Sequence, residues 1–376
     1  MGQVETVMGI SRDTRSLKYI FLCVFSSSAD VPQKGKLERF SYTKVDTYNQ
    51  CGWKYKLQYV DGKYFSAETI ALCLGTLVHL IEQRISEAYI NGREPDYPAL
   101  IEDFWNLDIP KKDKYDREGG IQGVNFIKKK FPDEYYAIDE DGGSYAARCK
   151  YYAEKGIYRQ KKFLEEHPEI EIVDVEKYFE YNFKGHLMSG YIDRVLRNKE
   201  TGKYIVEDLK TSKKPYDSSK TTTPLQHYVY VKALQSCYNL KDTPDECYYN
   251  FPLIDVRQQA GTKGWLKRAE TKLTKLFEGI ESQDWAPHPS PLCHWCNFCG
   301  TNPVQPEGAR HLCPYQCQWT KENKTFDKLN EWQGIENHEQ VMRHYLLEQC
   351  VDLTDEEREN IPPDRQKIKK KYNFVF

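Results

Sequence analysis

Gly190-Tyr191-Ile192-Asp193-Arg194-Val195-Leu196, followed after seven residues by Tyr204-Ile205-Val206-Glu207-Asp208-Leu209-Lys210, is the stretch on which the fold turns. Both runs are rich in β-branched and aromatic residues, and Asn198 to Lys203 lies between them, so the pair reads as a β-hairpin. A turn centred between Glu200 and Thr201 sets Asp193 directly opposite Asp208. Cross-strand neighbours have Cβ atoms about 5 Å apart, where two like charges are destabilising unless something positive stands between them. A divalent cation is the economical answer. Lys210, two residues beyond Asp208, projects from the same face and brings a positive charge beside the same ion. Hard oxygen ligands with open positions suit Mg2+ or Mn2+, which polarise a phosphodiester and lower the pKa of an attacking water. The lysine would orient that water or stabilise the transition state. An Asp-x-Lys triplet is common on exposed hairpins, so its weight depends on its surroundings.

Downstream, Thr223-Pro224 opens a helix expected to reach Leu240, with Thr as cap and Pro in the first turn. Gln226 and Tyr230 are four apart and share one face, where an amide and a phenol can hold a base or a phosphate. Tyr228, Tyr230 and Trp265 are either stacking platforms for unpaired bases or, as is commoner, buried aromatics. Tyr248 to Val256 reads as a last strand and Trp265 to Gln283 as a helix.

Upstream, Ile170 to Phe183 and Gly185 to Leu196 read as strands and Tyr151 to Glu165 as a helix. Leu77 to Ile90 is an amphipathic helix with Thr76 as N-cap; Leu77, Val78, Ile81, Ile85 and Ala88 form its apolar stripe, and His79, Glu82 and Gln83 share the other side. His79 would add an imidazole ligand and favour Mn2+ over Mg2+, although a lone helix histidine is more often structural. Residues 91–165 carry the breakers Glu118-Gly119-Gly120 and Asp141-Gly142-Gly143 and read as a helical insertion with loops. Ser41 to Tyr59 has a mostly helical pattern and contains Cys51.

Composition bounds the function. Aromatic residues at 14% and charged residues at 29% fit a globular chain rather than a disordered one. The formal charge of −2 excludes a globally basic nucleic-acid coat but leaves room for a local positive groove. Lys128 to Lys130 and the tail lysines from Lys367 to Lys371 are the densest basic clusters and read as solvated faces. No apolar run approaches the roughly 20 residues of a membrane helix, so no membrane partner is expected. Five of twelve cysteines fall between Cys293 and Cys317, a clustering that suggests metal or cluster ligands in a reducing, cytoplasmic setting, that of a bacterial or phage-infected cell.

Four segments stand in order: Gly75-Thr76-Leu77-Val78-His79, Gly190 to Val195, Glu207 to Thr211, and Gln226-x-x-x-Tyr230. Together they resemble the RecB-type branch of the PD-(D/E)XK nucleases, which includes the nuclease domains of bacterial recombination helicase-nucleases and the CRISPR adaptation exonuclease. The resemblance spans about residues 40–315. It implies an α/β fold: a restriction-endonuclease-like core with a mixed central sheet flanked by helices, plus the helical insertion and a cysteine-rich C-terminal clasp. It also implies His79, Asp193, Asp208 and the Leu209 carbonyl as metal ligands, Lys210 as the catalytic lysine, and Gln226 and Tyr230 lining the site. Ser41-x-x-x-Val45-x-x-Tyr48-x-x-Cys51 is similar to the helix that opens such domains, whose cysteine in many members is one of four ligands of a [4Fe-4S] cluster. The others would be Cys293, Cys296 and Cys313, with Cys299 as the alternative third, and the cluster would close a long loop between the start and end of the domain. Zn2+ is the competing reading, since Cys293-x-x-Cys296 with Cys313-x-x-x-Cys317 resembles a ribbon site that needs no Cys51.

The expected organisation is a leader over 1–37, a nuclease domain over 38–320 with its cysteine-rich region at 290–319, and a polar extension over 321–376. The expected function is a metal-dependent DNA exonuclease or endonuclease acting on single strands or duplex ends, in phage or mobile-element DNA processing, recombination or repair. Two rivals come from other classes: an inactive nucleic-acid-binding or assembly module of the same fold, which has no need of two opposed carboxylates, and a zinc-stabilised adaptor. Protein partners are open.

Overall fold

The computed structural model describes residues 38–63, 68–110, 120–244 and 246–286, together with 288, 290, 292–293 and 296–298. The expected leader at 1–37, the extension at 321–376, and Cys299, Cys313 and Cys317 lie outside the described residues.

The chain begins with strand β1 (Arg39–Phe40) and helices α1 (Tyr42–Gln50) and α2 (Gly52–Tyr55), the latter continuing into a π-helical turn at Lys56–Val60. The Ser41 side chain caps α1 by accepting the Lys44 N–H at 3.1 Å. Helix α3 (Ile70–Ile90) is 21 residues long and begins a full two turns before the expected N-cap. Thr69, not Thr76, caps it by accepting from Leu72 N. Ile70 and Leu74 extend the buried stripe of Leu77, Val78 and Ile81, and that burial outweighs the cost of the internal glycine at Gly75. The side expected to be polar is covered as well, for Glu82 and Gln83 are 3% and 5% exposed.

Residues between α3 and the main sheet form helices α4 (Tyr97–Asn106), α5 (Val124–Lys130), α6 (Pro132–Tyr136), α7 (Tyr145–Glu154) and α8 (Arg159–Glu166). They also form a small antiparallel pair, β2 (Asp108–Ile109) and β3 (Ile121–Gln122), which sequence reading did not foresee. The single helix expected over Tyr151 to Glu165 is two helices, divided by a short 3-10 turn at Gly156–Tyr158. Gly156 lies so close to the Pro252 carbonyl that an added Cβ would sit 2.6 Å from it, so the break is where the insertion touches the sheet layer. Phe104, Tyr152, Ile157, Cys149 and Leu253 fill the core between α3 and these helices.

The main sheet holds β4 (Ile170–Phe183), β5 (His186–Asn198), β6 (Tyr204–Leu209), β7 (Glu246–Phe251) and β8 (Val256–Ala260). Strands β4, β5 and β6 form an antiparallel meander, β6 pairs parallel with β7, β7 pairs antiparallel with β8, and β1 lies parallel to the start of β5. The sheet is therefore mixed and flanked by helices, as expected. Lys184 and Gly185 turn β4 into β5 with φ values of 49° and 99°, both left-handed, as a two-residue hairpin with native twist requires. The strand expected over Tyr248 to Val256 is instead β7 and the start of β8, separated by a turn with Asp255 at φ 55°.

After β6 come α9 (Ser218–Thr221), α10 (Leu225–Cys237) and α11 (Trp265–Glu281). Helix α10 ends earlier than Leu240, and Thr223 does not cap it: Pro224 occupies the cap position with no side-chain hydrogen bond. The helix starts one residue later than expected, at Leu225, so the cap position falls on Pro224, which has no side-chain acceptor to offer. Tyr228, Val229, Leu234, Leu273 and Phe277 pack the α10–α11 layer against Val195, Val206, Tyr249 and Phe251 of the sheet. Tyr228, Tyr230 and Trp265 are at most 5% exposed, so they are core residues and present no free face to a base. No helix among the described residues is long and apolar enough to cross a membrane.

Candidate metal centre

Strand pairing between β5 and β6 runs Arg197 against Tyr204, Leu196 against Ile205, Val195 against Val206 and Arg194 against Glu207. One further step along this register sets Asp193 against Asp208, as the turn at Glu200 and Thr201 predicts. Asp193 Oδ2 accepts the Leu209 backbone N–H at 2.8 Å, which fixes its carboxylate at the end of the ladder. Asp208 is completely buried, and its Oδ1 has no hydrogen-bond donor among the described residues. The Lys210 ammonium lies 2.5 Å from Asp208 Oδ2 as an ion pair.

Lys210 also donates to Gln226 Oε1 at 3.1 Å, and Gln226 Nε2 donates to the Tyr230 hydroxyl at 2.9 Å. Gln226 and Tyr230 stand one turn apart on α10, so this helix holds the lysine from behind. Burial works against a charged Lys210, but the Asp208 and Asp193 carboxylates overcome it and raise its pKa above the ordinary value. That balance favours the protonated form, which can stabilise negative charge or orient a water. Asp208 shows the opposite balance. Burial pushes its pKa up to about 6, with the Asp193 charge adding to the rise, while Lys210 and His227 partly offset it. His227 is itself buried, kept below its ordinary pKa by that burial, and packs its ring edge-on to Tyr249.

His79 of α3, Glu176 of β4 and Asp193 of β5 bring one ligand atom each within 4.8 Å of one another. Nδ1 of His79 is 3.9 Å from Glu176 Oε1. Burial disfavours a charged imidazole, but Glu176 and Asp193 outweigh it and raise the His79 pKa. Glu176 is the residue that sequence reading missed. Its backbone has φ 45°, a left-handed conformation uncommon for a side chain of this kind and often stored where function uses it. A register shift between Ile172 and Asp174 bends β4 just before it. Val175 pairs with Arg194 and Lys177 with Ile192, so Glu176 lies across from Asp193. Counting back from the Lys184-Gly185 turn would have placed it there.

The expected ligand set is thus brought together in part. His79 and Asp193 converge with Glu176, Asp208 lies beside them on the neighbouring strand bound to Lys210, and Leu209 enters through its backbone N–H to Asp193. A divalent cation fits this donor set. Asp208 Oδ1 is buried with no hydrogen-bond donor among the described residues, and the carboxylates of Glu176, Asp193 and Asp208 crowd a site that Lys210 balances only in part.

A second concentration of ligand-forming side chains lies at the far end of α1. Cys51 follows α1, and its sulfur accepts the backbone N–H of His288 at 3.4 Å. Gly52 permits this approach, since a Cβ there would sit 2.9 Å from the Asp284 and Ala286 carbonyls. Cys293 Sγ accepts from Ser290 N at 3.3 Å, and Cys296 packs with Cys51 against Trp53, Trp285 and Phe298. Burial raises the Cys51 thiol pKa, and Cys293 adds a smaller rise. Cys51 and Cys296 thus border one apolar cluster and Cys293 lies near Cys51, although their sulfurs do not form a group within 4.8 Å of one another. Cys149 and Cys247 are buried among apolar residues, and Cys237 is exposed.

Comparison with known proteins bears on the whole domain. No curated protein matches the chain. Among solved structures, the chain is similar to a candidate exonuclease from Eubacterium rectale, with 12% identity, a TM-score of 0.35, and coverage of 69% of this chain and 87% of that one. The model of the PD-(D/E)XK nuclease superfamily matches residues 39–301, well over half of the sequence and every element that builds the centre. With that match, the chain belongs to the PD-(D/E)XK nuclease superfamily.

Proposed function

We propose that this protein is a divalent-metal-dependent deoxyribonuclease of the RecB-type branch, acting on single strands or duplex ends. The observation that carries the reading is the convergence of His79, Glu176 and Asp193 within 4.8 Å beside buried Asp208 and its partner Lys210. Three carboxylates and an imidazole would hold Mn2+ or Mg2+, with the Leu209 carbonyl as a further candidate ligand. The bound ion would polarise the scissile phosphodiester and lower the pKa of a water. Lys210, kept protonated by its carboxylates, would stabilise the charge that grows on the phosphoryl oxygens. Gln226 and Tyr230 hold the lysine in place, which is a positioning role for both.

The nuclease domain in this reading spans residues 38–320, with 91–165 as its helical insertion. Cys51, Cys293 and Cys296 would be three ligands of a [4Fe-4S] cluster completed by Cys313 or Cys299. Two backbone N–H groups directed at sulfur support this, because such hydrogen bonds tune and stabilise cluster thiolates. Visible absorbance separates the alternatives: a brown protein carries the cluster, and a colourless zinc-loaded one has the ribbon site. The catalytic reading is tested by incubating end-labelled single- and double-stranded DNA with Mn2+ or Mg2+ and the parent protein or Asp208→Ala. Cleavage by the parent alone is expected. Equal cleavage by both proteins would sink the assignment, and cleavage by neither would leave a binding module.

A further inference from the structure

Behind the metal centre lies a network of charges that are almost wholly buried. Arg194 is 0% exposed, and its guanidinium makes five hydrogen bonds: Nε to Ser86 Oγ at 2.9 Å, Nη1 to Gln160 Oε1 at 2.8 Å and Glu207 Oε2 at 2.7 Å, and Nη2 to Glu82 Oε2 at 2.7 Å and, at 3.5 Å, the Glu82 carbonyl. Glu207 also accepts from Arg257 Nε at 2.8 Å and from Asn250 Nδ2 at 3.2 Å, and Glu82 accepts from the Tyr152 hydroxyl at 2.8 Å. Two carboxylates and two guanidiniums balance. Apolar side chains of similar volume often serve as well or better in such a place, so net stability alone does not explain it.

Its placement does. Arg194 follows Asp193, Glu207 precedes Asp208, and the two are register partners. Alternation along each strand sends the aspartates to one face and the Arg194–Glu207 pair to the other. On α3, His79, Glu82 and Ser86 stand at i, i+3 and i+7, one stripe of the helix. The network therefore ties the helix that supplies His79 to the two strands that supply Asp193 and Asp208. Gln160 of α8 and Tyr152 of α7 join the insertion to the same junction. A planar guanidinium with a rigid fork of donors fixes both distance and orientation, which a hydrophobic contact would not.

We propose that Arg194 is a positioning residue for the metal centre: by clamping Glu82 and Ser86 to Glu207, it sets the separation of the His79 imidazole from the Asp193 carboxylate. This rests on the reading of His79, Glu176, Asp193 and Asp208 as a metal site. Loss of supporting bonds behind metal ligands weakens metal binding by about ten- to hundredfold, and the same order is expected here.

The test is Mn2+ affinity measured by calorimetry on the full chain, with the thermal midpoint recorded alongside, for the parent, Arg194→Lys, His79→Ala, the double variant and Leu273→Ala. Leu273 is fully buried on α11 away from the network, so its variant reports the effect of destabilisation alone. Arg194→Lys should weaken Mn2+ at least about tenfold while Leu273→Ala leaves it unchanged. The double variant should bind no more weakly than His79→Ala, because the arginine acts through that imidazole. Ser86→Ala, which removes only the bond to Nε, and Glu82→Gln, which removes only charge, make the same comparison should Arg194→Lys not fold. Parent binding with Arg194→Lys within about twofold, or losses that multiply in the double variant, would overturn the proposal alone. Absence of Mn2+ binding by the parent would overturn the metal reading, and the proposal with it.

Discussion

Replacing Asp208 by Asn should change how stability depends on pH in the metal-free protein. Burial raises the Asp208 pKa from the ordinary 3.8 to about 6, with Asp193 adding to the rise and with Lys210 and His227 opposing it. A carboxyl whose folded pKa lies above its unfolded value favours folding in its protonated form. Its contribution is fully present below the unfolded pKa and is lost as pH rises through about 6. At about 1.4 kcal/mol per pH unit, the raised pKa corresponds to about 3 kcal/mol. Asparagine does not titrate. It does leave Lys210 without its closest partner, which adds a cost, but that cost is constant while the lysine stays charged. The stability of Asp208→Asn relative to the parent should therefore rise by about 2 kcal/mol between about pH 4 and about pH 8, the remainder lying below about pH 4, whatever its absolute value. Urea unfolding in EDTA, followed by fluorescence of the buried Trp53, Trp265 and Trp285, measures both proteins across that range. A difference that stays flat within about 0.5 kcal/mol, or that falls with pH, would refute the reasoning, since Asp208 would then be ionised in the fold at no cost. Saturating Mn2+ should stabilise the parent at neutral pH and leave Asp208→Asn almost unmoved, because the ion binds the deprotonated carboxylate.

Other outcomes follow from the same geometry. Glu207 is held down to about 2 because the Arg257 and Arg194 charges overcome its burial; its contribution is present above 4.5 and lost as pH falls through about 2, so Glu207→Gln should flatten the acid limb of the stability curve. The same variant should cost about 3–5 kcal/mol at neutral pH by leaving buried guanidinium charge uncompensated, read by urea midpoint. Lys210→Met should lower kcat about 100- to 1,000-fold with Mn2+ affinity little changed, as single-turnover cleavage beside calorimetry would show. Cys51→Ser should lose visible absorbance and lower Tm, while Cys237→Ser, at an exposed position, should do neither.

The sequence made the hairpin legible because its chemistry is local. Asn198 to Lys203 fixes a turn, the turn fixes register, and register alone brings Asp193 to Asp208. Lys210, Gln226 and Tyr230 also fall where a strand end and one helix turn put them. Helix limits were less legible. Thr76 looks like a cap, yet buried Ile70 and Leu74 carry α3 through it. A turn after Phe251, closing with Asp255 at φ 55°, divides a run that composition alone would read as one strand. Glu176 was hidden by its strained backbone in a bent strand, which no periodicity describes, although the Lys184-Gly185 turn contained the register needed to place it. The Arg194 network was hidden for another reason: it joins α3, the insertion and four strands across more than 100 residues of sequence, as in the Arg194–Ser86 bond. A charged residue in a strand normally signals a solvated face, and only tertiary structure shows that both Arg194 and Glu207 are covered.

The most direct measurement is the position of Mn2+ by anomalous diffraction in crystals soaked with the ion. A peak within coordination distance of His79, Asp193 and Asp208, with Glu176 beside it, is the predicted result. Mn2+ bound elsewhere, or no peak between α3 and the β5–β6 hairpin in a protein that cleaves DNA, would contradict the assignment of this centre.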